Sequence, residues 1–227
     1  MHLTSKKRNN SKYIKNTKMS KFRFLSIIFC AIAAVTLTSC WNDDDDSGLT
    51  PEQIQTCYNL TRGQHSGQLI FRKAGNTTNV KDNDTLNVTW NIKSDSSMVF
   101  QSVPSKAIAS AIDTTTATIK ADNLEAYKSI ISQPAKDINC GIYYYSTNPI
   151  SWLIYPASVT YENVAYKGKN SKIQIVFVAN AYSIGSFNTT NNKMELQIVI
   201  AGAYVDGTYD SNLIPQSNAR ALFFTGK

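Results

Sequence analysis

At residues 86–93 the chain has the stretch Leu-Asn-Val-Thr-Trp-Asn-Ile-Lys, in which every second residue is apolar. Side chains of a β-strand point alternately to its two faces, so this stretch buries one face and leaves the other in water. A strand with one wet face is typical of an antiparallel sheet. The stretch therefore predicts an antiparallel β fold in which one face of the sheet packs on a core.

The same period of two recurs after residue 67. The clearest predicted pair is Lys172–Tyr182 with Lys193–Val205, two long strands joined by a polar segment. Further strands are predicted at residues 68–73, 140–145, 151–155, 158–166 and 220–225, and short helices at 51–61, 104–112 and 122–131. Seven or eight strands with two or three short helices predict one mainly β domain, all-β to α+β, over residues 50–227. Its antiparallel sheet forms either a β-barrel or a β-sandwich.

Basic residues are concentrated at the N-terminus. The chain of 227 residues has 23 Lys and Arg against 16 Asp and Glu, a net charge of +7. Residues 1–39 hold eight of these bases and no acid, which leaves 15 bases against 16 acids from residue 40 onward. The domain that follows therefore has no excess of positive charge, and we expect no binding of nucleic acid.

Residues 1–39 have the order of a secretory signal peptide. Lys21 and Arg23 precede fourteen mostly apolar residues, 24–37. This run is too short to cross a bilayer, which takes about 20 residues of helix, so it fits an export signal. A start at Met19 gives a compact basic region, and we expect translation to begin there rather than at Met1.

The signal ends in Leu37-Thr-Ser-Cys40, which resembles the lipobox of bacterial lipoproteins. The resemblance implies cleavage before Cys40 and lipidation of its sulfur, which anchors the mature chain in a membrane. The acidic run Asp43–Asp46 follows, so residues 40–49 are predicted to be a solvated tether. This run resembles the acidic export signal of Bacteroidetes surface lipoproteins, which implies a place on the outer membrane at the cell surface. A plain spacer on the periplasmic face is the alternative.

Two cysteines, Cys57 and Cys140, lie in the folded part of the chain. An even pair in an oxidising compartment is a disulfide candidate. Closing their 83-residue separation would stabilise the fold by about 4.5 kcal/mol on the loop-entropy model. Two buried free thiols are the alternative.

Few side chains in the mature domain are suited to catalysis. Its single histidine, His65, lies at a predicted turn, and the close acids Asp206 and Asp210 lie in turn-like sequence. One histidine and two cysteines do not make a zinc site. The chain has no phosphate-binding loop and no nucleophile elbow. We therefore expect no enzyme activity, no metal and no cofactor.

Aromatic residues are concentrated between residues 143 and 166. Four of them, Tyr143, Tyr145, Trp152 and Tyr155, are predicted to bind a ligand. Tyr143 and Tyr145 share one face of a predicted strand, where rings with polar tips suit a glycan or another flat ligand. The alternative is that these rings pack at the rim of the sheet.

The order of several motifs resembles a family of Bacteroidetes-type lipoproteins of unknown function. These motifs are the lipobox, the acidic tether, Gly63-x-x-x-Gly67, Asp84-Thr-Leu, Trp90, Asp95-Ser-Ser and Pro104. The resemblance implies lineage and localisation but no activity. The sequence as a whole predicts a non-catalytic envelope lipoprotein that binds a glycan or a small apolar molecule. A structural or assembly subunit of an outer-membrane complex, with an envelope protein as its partner, is the alternative.

Overall fold

The computed structural model describes residues 48–75 and 83–226. The signal peptide, Cys40 and the acidic tether up to residue 47 therefore lie outside the described residues. The helices are α1 (Pro51–Thr61), α2 (Ser105–Ile108) and α3 (Lys120–Ile131). The strands are β1 (Gly63–Arg72), β2 (Asn83–Ser94), β3 (Ser97–Val103), β4 (Lys136–Thr147), β5 (Ile150–Pro156), β6 (Val159–Tyr166), β7 (Lys169–Phe177), β8 (Ile184–Asn188), β9 (Lys193–Val205), β10 (Thr208–Tyr209) and β11 (Arg220–Gly226).

Eight of these strands close into an antiparallel barrel. Around the barrel the order is β1, β2, β3, β4, β5, β8, β9 and β11, and β11 pairs with both β9 and β1. Closure pairs the edges that a flat sheet of these strands would leave open. The mainly β fold with three short helices is confirmed, and of the two predicted architectures the structure has the barrel.

Strand β9 belongs both to the barrel and to an extension of it. Up to Ile200, β9 pairs with β8 and β11 within the barrel. From Ile200 onward it pairs with β7, which in turn pairs with β6. The short β10 turns back on the end of β9. Strands β6, β7 and β10 therefore extend the sheet beyond one end of the barrel.

The apolar side chains that alternate to the inner face of the strands fill the interior of the barrel. On β2 the apolar residues Val88, Trp90 and Ile92 are buried, as the sequence predicts. The Trp90 ring meets the Phe224 ring edge-on at 6.4 Å between centroids, and Phe224 stacks on Phe100 at 4.1 Å. An eight-stranded barrel is just wide enough for its own side chains to fill it, and these rings do so.

Helix α1 covers the end of the barrel where β1 begins and β4 ends. It begins at a capping box, in which Gln53 N donates to Thr50 Oγ1 at 3.3 Å and Thr50 N donates to Gln53 Oε1 at 2.9 Å. This confirms the predicted start of the helix. Near its last turn the hydroxyls of Thr61 and Tyr144 are 2.6 Å apart in a buried contact with β4.

Helices α2 and α3 lie at the opposite end, between the end of β3 and the start of β4. Ala165 N on β6 donates to Ser129 Oγ on α3 at 3.1 Å, and Gln133 Nε2, just after α3, donates to Glu162 O at 2.8 Å. The sequence predicts both helices. Because the helices cover the two ends, the outer faces of the barrel strands remain accessible.

Strand β3 has no counterpart among the predicted strands. Met98, Val99 and Phe100 form an unbroken apolar run, and all three are buried. A run without alternation carries no period of two, so it does not mark a strand by that criterion.

The predicted long strand Lys172–Tyr182 ends early, at Phe177 of β7, and the segment predicted as a polar connection contains a further strand, β8, which pairs with the same edge of β9 as β7 does. Between them the chain makes a short loop, in which Ser183 Oγ donates to Val178 O at 2.6 Å. This break lets β7 pair with β6 in the extension while β8 pairs with β5 in the barrel.

Candidate functional site

A groove of about 510 Å³ crosses the outer face of β1, β2 and β3. It is lined by Ser66, Gly67, Gln68, Asn87, Val88, Thr89, Gln101 and Ser102. Six of these eight residues carry an amide or a hydroxyl group, and none of the eight is charged. The surface is therefore suited to exchanging hydrogen bonds with a neutral polar ligand rather than to pairing with an ion.

The register of the barrel places the amide side chains of the groove next to one another. Gln68 pairs with Asn87, and Thr89 pairs with Ser66 on one side and with Gln101 on the other. Side chains directly opposite on antiparallel strands lie about 5 Å apart, so the polar groups form a continuous row across three strands. The sequence signal for this groove was the set of polar residues that alternate with the apolar ones on β2. It was missed because polar side chains on a wet face need no ligand to explain them.

Gln101 is held in place by its neighbours. Its Oε1 accepts from Gln64 Nε2 at 2.5 Å and from Thr89 Oγ1 at 3.1 Å. Its NH₂ group has no acceptor among the described residues and is free to donate to a ligand. Strand β3 then bulges at Ser102, which has a φ of 48° and whose N donates to Asp137 Oδ1 at 2.8 Å. Bulges re-aim side chains, and this one marks the end of the groove on β3.

The structure separates the four aromatic residues that the sequence predicts as a ligand surface. Trp152 is fully buried, and its ring lies 5.5 Å from that of Tyr144 inside the barrel. The alternation of β5 puts it on the inner face. Tyr145 is half-buried, and burial raises its pKa although a hydrogen bond with a serine opposes the shift. Only Tyr143 and Tyr155 are exposed, so Trp152 is not part of an outer surface and that prediction is corrected.

The predicted disulfide between Cys57 and Cys140 is not formed, since both cysteines are free and buried. Cys57 Sγ lies 3.9 Å from Ser146 O near the end of β4. Cys140 is earlier on the same strand, about 20 Å away at 3.3 Å per residue, whereas a bridge needs Cα atoms within about 7 Å. Burial raises the pKa of both thiols, which keeps them protonated and poorly reactive.

His65 lies within β1 rather than in the predicted turn. It is half-buried, and its ring stacks on that of Trp90 at 5.9 Å between centroids. Its Nε2 lies 2.8 Å from Thr61 O at the end of α1. These contacts make His65 a packing residue between α1 and the barrel.

A smaller groove, of about 290 Å³, lies between the tips of the β6–β7 and β9–β10 hairpins. Here Asp210 Oδ2 accepts from Tyr166 Oη and Lys167 Nζ, both at 3.0 Å, and Asp206 Oδ2 accepts from Lys169 Nζ at 2.8 Å. The hydrogen bond from Lys169 lowers the pKa of Asp206 to about 2. Each carboxylate is thus already paired between the hairpins, which supports a turn-stabilising role for both aspartates.

The described residues contain neither a metal-ligand cluster nor a membrane-spanning helix. Over residues 48–75 and 83–226, no three His, Cys, Asp or Glu side chains are grouped so that they could hold a metal ion. In the same part of the chain, no helix has both the length and the apolar character needed to cross a bilayer.

The fold and its surface define a closed antiparallel barrel, capped by short helices, with a neutral amide-lined groove on its outer face. The chain belongs to the protein family described as Domain of unknown function (DUF4840), whose model matches residues 60–205. The match runs from the end of α1 to the end of β9, and it includes the whole groove. Membership of a family of unknown function, which the sequence predicts, is thereby confirmed. No curated protein and no solved structure matches the chain.

Proposed function

We propose that this protein is a lipid-anchored envelope lipoprotein that binds a neutral glycan, without catalysis, in the groove across β1, β2 and β3. The observation that carries this proposal is the lining of the groove, which combines amides and hydroxyls with no charged residue. A sugar presents many hydroxyl groups that both donate and accept hydrogen bonds. Amide side chains such as Gln68, Asn87 and Gln101 offer both functions in return.

The filled interior supports an outer site over an inner one. A barrel that carries a small apolar molecule needs an internal cavity for it. Here the large side chains Trp90, Trp152, Phe100 and Phe224 occupy the interior with at most 1% of their surface exposed. Of the two ligand classes that the sequence left open, a glycan on the outer face therefore fits better than an apolar molecule inside.

The free state of the groove also supports ligand exchange. The side chains of Ser66, Gln68 and Asn87 are exposed, and they make no hydrogen bond to another residue of the described part. Water satisfies such groups in the free protein, so sugar hydroxyls can replace that water without breaking internal bonds. Gln101, in contrast, is already oriented by its neighbours, which reduces the entropy lost on binding.

The N-terminal sequence supports the anchor. A basic segment, an apolar run and the lipobox-like Leu37-Thr-Ser-Cys40 stand in the order that lipidation requires. The acidic run after Cys40 supports display on the outer face of the outer membrane. Cells fed an alkyne fatty acid should label the wild-type chain and not the Cys40→Ser chain. Surface biotinylation of intact cells should reach the wild-type chain, and its failure would favour the periplasmic face.

Glycan binding is tested with the full chain in detergent, first on an array of neutral and acidic oligosaccharides and then by calorimetry. Asn87→Ala should weaken the binding of a neutral oligosaccharide at least tenfold, about 1.4 kcal/mol, the scale of one or two hydrogen bonds. Asn91→Ala is the matched control, because Asn91 lies on the outer face of the same strand but does not line the groove. Equal losses in both variants, or no binding to any oligosaccharide, would favour an assembly subunit instead.

A further inference from the structure

Two tyrosines and a leucine form an uncharged outward surface on β4 and β5. Tyr143 and Tyr155 are 48% and 40% exposed, and the half-buried Leu153 pairs directly with Tyr143. Tyr155 lies over Gly141, where its Cβ is 3.7 Å from the position that a Cβ on the glycine would take. We call Tyr143, Leu153 and Tyr155 the tyrosine face. It is distinct from the groove, which no residue of β4 or β5 lines.

The chain enters the domain beside the tyrosine face. Tyr143 Oη is 3.4 Å from the position of a Cβ on Gly48, and the next residue, Leu49, packs on the core. From Cys40 to Gly48 the chain advances eight residues, which span at most about 28 Å. A domain of this size is about 40 Å across. An anchor at Cys40 therefore cannot lie against the far side of the barrel, and this short reach allows the tyrosine face to lie toward the membrane.

We propose that the tyrosine face rests on the lipid surface in which Cys40 is anchored, an inference that depends on the lipidation proposed above. Tyrosine suits the boundary between lipid and water because its ring is apolar and its hydroxyl is polar. The three partly exposed side chains are also too few for a stable protein interface, which buries about 800 Å² on each partner. Their number therefore favours a lipid surface over a second copy of the chain.

This contact leaves the groove open. The groove is centred on β2, and β3 separates β2 from β4 in the order of the barrel. A barrel that rests on β4 and β5 therefore turns its amide-lined groove away from the lipid. A glycan in solution or on the cell surface can then reach the groove without displacing the protein from the membrane.

Hydroxyl-radical footprinting of the full lipidated chain tests this contact. The chain is oxidised on phosphatidylcholine vesicles and, for comparison, in an amphipathic polymer that covers the acyl chains but offers no lipid surface. Oxidation of Tyr143 and Tyr155 should be at least threefold slower on the vesicles. Oxidation of the reference residues Tyr182 and Tyr209, which are 67% and 44% exposed, should change by less than 1.5-fold. The protection should persist at high salt, because the contact involves no charge.

A pair of variants ties the protection to the face itself. Tyr155→Asp should abolish the protection of Tyr143 on vesicles, whereas Tyr182→Asp, a change of the same kind on another exposed tyrosine, should leave it intact. Lipidated chain in which Tyr143 and Tyr155 are oxidised at the same rate on vesicles as in the polymer overturns this inference and leaves the anchor standing. An intact mass that shows no lipid on the chain overturns both the contact and the proposed anchor. Protection in the polymer that rises with protein concentration assigns the face to a second copy and overturns the lipid contact.

Discussion

Replacing Gly185 with alanine tests how tightly the barrel interior is packed. Strand β8 brings Gly185 opposite Trp152 on β5. A Cβ at this position would lie 2.2 Å from Trp152 Cε2 and 2.4 Å from its Nε1. Non-bonded carbon atoms prefer about 3.5–4.0 Å, so the added methyl group overlaps the indole by more than 1 Å. Because Trp152 is fully buried, its ring cannot move aside without displacing other core side chains.

We expect Gly185→Ala to lower the free energy of unfolding by about 3 kcal/mol, the upper part of the range for overpacked cores. In a domain of this size that loss lowers the melting temperature by roughly 6–12 °C. The measurement is urea unfolding followed by circular dichroism. Gly141→Ala is the matched control, since a Cβ on this strand glycine would meet no atom closer than 3.7 Å. Its free energy of unfolding should stay within about 0.5 kcal/mol of the wild type.

The double variant Gly185→Ala/Trp152→Phe identifies the clash. Phenylalanine lacks the indole atoms that the new methyl group would overlap, so the double variant should lose less stability than the two single changes added together. Additive losses would show that the methyl group clashes elsewhere. Equal stability of Gly185→Ala and Gly141→Ala would refute the packing of Trp152 against β8.

Four further predictions concern buried groups. Burial alone would raise the pKa of Asp113, but hydrogen bonds from Thr116 and Thr115 outweigh it and lower the pKa to about 2. The stability that this carboxylate adds is present above its ordinary pKa and is lost as the pH falls. The unfolding free energy of the wild type should therefore drop by about 2 kcal/mol more between pH 5 and pH 2 than that of Asp113→Asn. Arg220 is only 8% exposed, its Nε has no hydrogen-bond partner, and the sole hydrogen bond of its guanidinium to a described residue, 3.3 Å long, goes to an asparagine. Arg220→Met should raise the unfolding free energy by about 1 kcal/mol or more, and a loss would show that the guanidinium is effectively paired. Tyr144→Phe removes the buried hydroxyl that contacts the last residue of α1 and should cost about 1 kcal/mol in the same assay. Without reductant, the unfolded chain should react with a thiol reagent at both Cys57 and Cys140, as intact mass will show, whereas reaction only after reduction would indicate a bridge.

Local signals in the sequence predicted local structure well. The alternation at residues 86–93 predicted most of β2, and the helix predicted from residue 51 is α1. Each signal lies within a few residues of the structure that it determines. Closure of the barrel has no such signal, because it pairs Gly67 with Gly226 across almost the whole domain. The choice between a barrel and a sandwich was therefore open until the strand pairing was known.

The site was harder to predict than the fold, for reasons that differ between residues. The alternation along β5 already indicated that Trp152 points inward. The concentration of aromatic residues in one stretch nevertheless led to the prediction that Trp152 binds a ligand. Asn87 was correctly expected to face solvent, whereas its neighbour Gln68 is known only from the register of β1 and β2. Cys57 is buried, which agrees with the alternative of two buried free thiols. Which end of β4 it meets depends on how α1 packs on the barrel, and no local pattern encodes that.

The position of β11 has a consequence for synthesis of the chain. This strand fills the gap between β9 and β1, which is the first of the described strands to leave the ribosome. Until residues 220–226 have been made, β1 and β9 each keep an unpaired edge, and such edges favour pairing with other chains. In a chain that stops before Arg220, both edges stay unpaired permanently. Loss of only these residues therefore exposes the molecule to aggregation and proteolysis far more than loss of a surface loop of equal length.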